Sequence, residues 1–333
     1  MTFLSVLWFV LIFVLIIGYF VLDGFDLGVG VLYPWLGRNE EEKAILRQSI
    51  GPVWDGNEVW LLTAVGALFA AFAPAYATTF SGFYLAIMLV LFGLILRAVS
   101  LELRAQDFAK RGIWDACFFI GSLLPALLFG VAVGNVIMGL PLDANGDYLG
   151  TFFDLLNPFS LVCGFVGLFQ MCAHGCAWVA VKTEGELHDR AVMMRSRAQL
   201  LTLIAFSIAT LLPTPAPYGG QPFFILCVLL ALVPVGSLLL GLLNKKLGDL
   251  PAFLSSCVTC VALAALFGAS LFPFLVPSTI FGTSITIASA AGSEVGLGAM
   301  AIIACIGVPL VLVYHFIIYR KFAGKIKPED VHY

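Results

Sequence analysis

The chain has 333 residues, of which 61% are hydrophobic and 11% charged, with a net charge of −3 and a mean hydropathy of +1.03. Soluble domains carry about a quarter charged residues, so a soluble globular protein is excluded, and nothing in the charge balance calls for a nucleic-acid partner. The length suits eight or nine spans of roughly 20 residues and leaves no room for a separate soluble domain, so residues 1–333 are expected to form a single polytopic, all-α membrane domain.

The first apolar run is Phe3 to Leu22. It lacks a basic leading region and a small-residue cleavage pattern, so it is expected to persist as a helix and not as a cleavable signal peptide. Asp23 and Asp26 follow it, three apart and flanked by Gly24, Gly28 and Gly30, so they share a face if the helix continues. Gly51-Pro-Val-Trp-Asp-Gly-Asn-Glu-Val-Trp60 then opens the second run, Val53 to Phe72, with Asp55 and Glu58 again three apart. Four carboxylates thus gather at one membrane depth. A carboxylate in hydrocarbon costs about 2.5–3.5 kcal/mol even on lenient insertion scales, so proton handling is the expected role of Asp26 and Asp55. Solvated acids at a helix end, or acids favouring a helix N-terminus, are the competing reading, strongest for Asp23 and Glu58. Trp60 lies too deep for an interfacial aromatic belt, and a ring facing a gas or quinone path is the alternative.

The remaining runs are Thr78 to Val99, Trp114 to Leu140, Pro158 to Val181, Gln199 to Leu212, Pro222 to Leu243, Pro251 to Val276 and Val295 to Tyr319, giving nine transmembrane helices. All 17 lysines and arginines then fall after the first, third, fifth, seventh and ninth spans, from Arg38, through Arg97 and Lys182, to Lys327. By the positive-inside rule those connections are cytoplasmic, the N-terminus is outside and the C-terminus inside. The eight cysteines all lie in apolar runs, so no disulfide framework is expected, and Cys257 and Cys260 read as small apolar residues, not metal ligands. His174 and His315 also lie in spans. Bis-histidine ligation of a haem needs a partner in register, so packing or a helix hydrogen bond is the expected role.

Several strings carry a family resemblance: Asp23-Gly-Phe-Asp-Leu-Gly-Val-Gly30, Leu36-Gly-Arg-Asn39, Trp54-Asp-Gly-Asn-Glu-Val-Trp60, Phe80-Ser-Gly-Phe-Tyr84, Arg97 and Gly185-Glu-Leu-His188. Together they resemble subunit II of cytochrome bd quinol oxidases, densely over the first hundred residues. The resemblance implies one peripheral helix plus two four-helix bundles, paired with a larger homologous subunit I that binds two b haems and one d haem and oxidises quinol. It implies no cofactor held by this chain, while leaving room for a structural quinone and a small accessory subunit. It also implies a cytoplasmic proton path through Asp26 and Asp55, with Asp23 and Glu58 secondary, and an oxygen path past Trp60. Some relatives carry Gln where this chain has Glu58, so a carboxylate there is not essential to the family mechanism. The function expected is therefore that of an accessory subunit of a quinol-dependent terminal oxidase in the bacterial plasma membrane. The alternatives are a stand-alone proton-coupled transporter, which would need polar sites in both halves of the chain, and a purely structural scaffold.

Overall fold

The computed structural model describes residues 1–212, 224–243 and 248–327, and its architecture is all-helical apart from one small hairpin. Helix α1 (Phe3–Leu36) begins at a Thr2 cap whose hydroxyl accepts from the Ser5 amide at 3.3 Å. It does not end near Leu22: it runs on through both aspartates. At 34 residues and about 1.5 Å per residue it is long enough to cross a bilayer and project beyond it. Continuation depends on glycine. A Cβ on Gly28 would fall 1.8 Å from the Met171 carbonyl oxygen, and one on Gly175 would fall 2.6 Å from the Gly28 carbonyl carbon, so only glycine lets the two backbones approach this closely.

Helix α2 (Glu40–Ile50) is short and capped by the Asn39 side chain, which accepts from the Glu42 amide at 2.8 Å. Its first turn holds Glu40, Glu41 and Glu42 and its last turn Arg47, the polarity a helix dipole favours. Helix α3 (Trp54–Ala71) follows. The single run expected over Thr78 to Val99 is divided, because α4 (Ala73–Gly82) and α5 (Tyr84–Leu103) are separated at Phe83. Next come α6 (Arg111–Met138), α7 (Pro158–Lys182), α8 (Gly185–Leu211), α9 (Phe224–Leu243) and α10 (Asp249–Leu271). Helix α8 starts well before Gln199, so Arg190, Arg195 and Arg197 lie on the helix and not in a connection. Lys245 and Lys246 lie outside the described residues. The eighth expected run, Pro251 to Val276, ends as helix at Leu271. Strand β1 (Phe274–Val276) then pairs antiparallel with β2 (Ile285–Thr286), before α11 (Ile287–Ala290) and α12 (Glu294–Lys321).

Among the described residues, eight helices are long and apolar enough to cross a membrane: α1, α5, α6, α7, α8, α9, α10 and α12. Helix α1 packs against α3, α6, α7 and α10, and α7 against α6 and α8, which makes these two the core of the molecule. At one end of the bundle basic side chains lock the chain: Arg190 Nε donates to the Leu36 carbonyl at 2.9 Å, and Lys325 Nζ donates to the carbonyls of Ala180 and Thr183 at 2.7 and 2.8 Å. Asp115 accepts from Arg104 and Lys43 there at 2.6 and 2.8 Å. At the other end the connections hold one another, through Thr279 N to Leu140 O at 3.0 Å, Thr78 Oγ1 to Gly146 O at 2.8 Å and Gly292 N to Ala71 O at 2.9 Å.

Candidate functional site: a buried carboxylate cluster between α1, α3, α5 and α12

Because α1 stays helical past Leu22, Asp23 and Asp26 face the interior together, and both are completely buried. Helix α5 supplies the counter-charge. Arg97, also completely buried, donates from Nη2 to Asp23 Oδ1 at 2.7 Å and to Glu58 of α3, tying three helices through one guanidinium. The pattern of apolar runs puts Arg97 at the charged end of the third span; the structure places it well inside α5, which runs on to Leu103. Its long side chain can be buried only because two carboxylates compensate it, since a lone buried charge would be prohibitively costly.

Asp26 has no such cationic partner among the described residues. Its Oδ2 accepts from Asn57 Nδ2 at 2.7 Å, and the same amide nitrogen reaches the Leu22 carbonyl at 3.1 Å. Asn57 Oδ1 in turn accepts from the Tyr319 hydroxyl of α12 at 2.9 Å. Asn57 is thereby held in one orientation, with its NH2 toward Asp26 and its carbonyl toward Tyr319. Asp26 Oδ1 and Asp23 Oδ2 have no hydrogen-bond partner among the described residues, and the three-residue step on α1 makes the two carboxyls neighbours. Two carboxylates thus bond one guanidinium while the third, Asp26, is held by an amide, and Arg97 Nε and Nη1 also have no hydrogen-bond partner among the described residues.

Trp60, 8% exposed, lies against α1, where a Cβ on Gly18 would collide with its ring at 2.1 Å. Its Nε1–H donates to His315 Nε2 at 3.3 Å, and His315 Nδ1 is 2.9 Å from the Val311 carbonyl, so the imidazole is fixed with its proton on Nδ1. Asp55 does not join this group. Its side chain points to the exposed side of α3, while Glu58 one turn on turns inward to Arg97. Asp23, Asp26 and Glu58 thus gather together, Trp60 lies one turn on from Asn57 with His315 as its partner, and Asp55 is exposed on this chain. Arg97, Tyr319 and His315 belong to the site as well, together with Asn57. The one signal for Arg97 is a lone arginine two residues inside an apolar run; His315, read from the sequence as packing or a helix hydrogen bond, makes that bond to Val311, and Tyr319 comes from the far end of the chain, where no local pattern marks it.

A second buried polar cluster lies between α1, α7 and α10. His174, completely buried, approaches the Val21 carbonyl through Nε2 at 2.9 Å and Ser256 Oγ through Nδ1 at 3.0 Å, and its ring stacks on Phe253 at 4.9 Å. Gln170 Nε2 reaches Ser256 Oγ at 3.2 Å. Both ring nitrogens of His174, like both of His315, are engaged within the chain, so neither imidazole is free to ligate a haem iron.

The fold and site define a polytopic membrane protein that keeps a partly compensated carboxylate cluster at the junction of its longest helix with three others. Residues 4–322 match the family model described as cytochrome bd terminal oxidase subunit II, and the chain belongs to that family. Similar curated proteins include cytochrome bd-I ubiquinol oxidase subunit 2 of Escherichia coli strain K12, 36% identical with 98% of this chain and 96% of that protein covered. Cytochrome bd ubiquinol oxidase subunit 2 of Bacillus subtilis strain 168 is 32% identical, with 97% of each covered. A bd oxidase structure from Geobacillus thermodenitrificans matches with a TM-score of 0.78 over 96% of this chain and 99% of that one, at 15% identity, and so supports the fold.

Proposed function

We propose that this chain is the haem-free subunit of a bacterial quinol:oxygen oxidoreductase and carries part of the proton and oxygen routes to a larger, haem-bearing partner subunit. The partner's haems, two of b type and one of d type by the family resemblance, supply the redox chemistry; this chain's residues hold and move protons and shape access. In this reading α3 joins the eight long helices as a ninth crossing, arranged as one peripheral helix and two four-helix bundles within one membrane domain. Its low apolarity comes from the polar first turn that carries Asp55, Asn57 and Glu58. The basic end of the bundle faces the cytoplasm, with the N-terminus outside and the C-terminus inside.

The observation that carries the reading is the charge imbalance at Asp26. Asp23 and Glu58 share Arg97, whereas Asp26 is held only by a neutral amide. A proton shared between Asp23 and Asp26 satisfies the two unmatched oxygens, as in other carboxyl pairs where like charges cannot both ionise. Loss and regain of that proton is the step assigned to Asp26, with Asn57 and Tyr319 orienting its carboxyl. Asp55, exposed on this chain, is the surface group that takes protons from the cytoplasmic side and passes them inward by intervening water. Trp60, buried and pinned by His315, walls the oxygen path. Asp23 and Glu58 act chiefly on structure through Arg97.

The stand-alone transporter falls with the family assignment. The scaffold reading keeps one specific support, the three-helix tie at Arg97, and it is separated from the relay by substitution. Asp26→Asn and Asp55→Asn are expected to lower quinol-driven oxygen uptake while the haem content of the purified complex stays normal. Full turnover in both assembled variants would refute the relay.

A further inference from the structure

The ends of α2, α7 and α12, with the segment 322–326, enclose a cavity of about 280 Å³ at the basic end of the bundle. Three lysines line it, Lys182, Lys321 and Lys325, and neither Asp nor Glu does among the described residues. Asp249, 3.1 Å from Lys325 Nζ, is the one described carboxylate that reaches this group, and it is shared with His188 at 3.0 Å, so two ammonium charges remain unmatched among the described residues. Lys182, 6% exposed, donates to the Phe322 carbonyl and lies 4.8 Å from the Trp178 ring centroid. Lys321 Nζ lies 5.8 Å from the Phe322 ring centroid. Trp178 and Tyr319 give the cavity an apolar wall. One turn before Lys321, and on its face of α12, Ile317 is 56% exposed, with Phe316 beside it at 64%.

Cavities that hold a whole small-molecule ligand usually measure about 300–1,000 Å³, so this one fits a headgroup better than a cofactor. A basic recess where membrane helices end, continued by an apolar helix face, matches the two halves of a phospholipid. Ammonium groups favour phosphate oxygens, and aromatic rings suit the glycerol level of the interface. Helix capping explains only part of the arrangement: Lys325 covers the last carbonyls of α7, and Lys182 meets the end of α12, but Lys321 caps no carbonyl among the described residues.

We propose that this cavity is a phosphate-binding site for an anionic phospholipid, with Lys182 and Lys321 on the phosphate and the acyl chains lying along Phe316 and Ile317 of α12. The site depends on the membrane reading alone and not on the proton relay.

The test uses the intact purified oxidase complex in detergent micelles, titrated with phosphatidylglycerol, with phosphatidylcholine, or with inorganic phosphate, while the thermal midpoint is followed. Phosphatidylglycerol is expected to stabilise the wild-type complex more than phosphatidylcholine does. A lysine near an anionic headgroup contributes enough that Lys321→Gln should raise the half-saturating lipid fraction about fivefold, and Lys182→Gln with Lys321→Gln roughly twenty-five-fold. Lys321→Arg, which keeps the charge, should titrate like wild type. Lipid bound on the partner subunit would leave these variants unshifted, and identical half-saturation in wild type and Lys321→Gln would overturn the site. Stabilisation by inorganic phosphate alone, at the same concentrations and with the same variant dependence, would overturn the lipid assignment and leave a free-phosphate site. Should the double variant fail to assemble, Lys321→Gln alone decides, since its side chain bonds no carbonyl among the described residues.

Discussion

Two buried polar clusters flank α1, and they are built on opposite principles. The His174 cluster, against α7 and α10, is neutral, and every polar atom of the imidazole has a partner. The Asp26 cluster, against α3, α5 and α12, sets two carboxyls on one guanidinium and a third on an amide, and leaves oxygens of Asp23 and Asp26 without partners among the described residues. A neutral imidazole with both nitrogens bonded fixes helix positions and has no proton left to exchange, although Gln170 Oε1 beside it has no partner among the described residues. A carboxyl pair short of one proton has a defined exchange to make. On this contrast rests the proposal that the His174 cluster serves packing and the Asp26 cluster proton handling.

The sharpest break of the comparison is Arg97→Gln. Leaving Asp23 and Glu58 uncompensated removes one partner of a buried ion pair, which costs about 3–5 kcal/mol, so the haem-containing complex should be recovered in much lower yield. Next comes Asp26→Asn, which keeps shape and removes the exchangeable proton. Its turnover should fall by roughly 10²-fold, the order that a positioned proton-transfer group contributes, with a thermal midpoint near wild type. His174→Leu should do the reverse. Losing a buried hydrogen-bonded group costs about 1–3 kcal/mol, visible as a lower thermal midpoint, while turnover per haem stays unchanged. Trp60→Phe removes the bond to His315 and should cost about 1 kcal/mol, with the half-saturating oxygen concentration altered if the ring walls the oxygen path.

The smallest effect lies outside the membrane, at Glu42 of α2. Burial works against its charge, but bonds from Arg190 and from the Arg38 amide outweigh it and hold its carboxyl below the usual 4.5. A depressed folded value means that its stabilisation is complete above the unfolded value and is lost as pH falls through the folded one. Wild type should therefore lose thermal stability below about pH 4.5 slightly more steeply than Glu42→Gln, by less than about 1 kcal/mol.

The carboxylates of the Asp26 cluster are easy to see in the sequence and their compensation is hard to see, for a physical reason. Acids in an apolar run stand out by composition alone, so Asp23, Asp26 and Glu58 are legible from residue order. Arg97 reads as the charged end of the third span, and the extension of α5 to Leu103 puts it well inside a helix. Tyr319 and His315 reach the cluster from α12, whose outer surface is otherwise open and apolar, and pairing across so many residues leaves no periodic trace. The apolar run stops at Leu22 but α1 does not, because polarity there marks no boundary: Gly28 and Gly175 let α7 enclose the polar stretch. Asp55 resembles Glu58 in sequence yet is exposed where Glu58 reaches Arg97, because a three-residue step leaves side chains about 60° apart around the helix.

Proton uptake decides the central claim. The complex would be reconstituted into vesicles and mixed with quinol and oxygen, and the pH on the side facing the basic loops followed with a fast indicator for wild type and Asp26→Asn. The account predicts that Asp26→Asn loses the rapid uptake phase from that side while its haems are still reduced at the normal rate. Uptake of wild-type rate and extent in a fully assembled Asp26→Asn complex would contradict it.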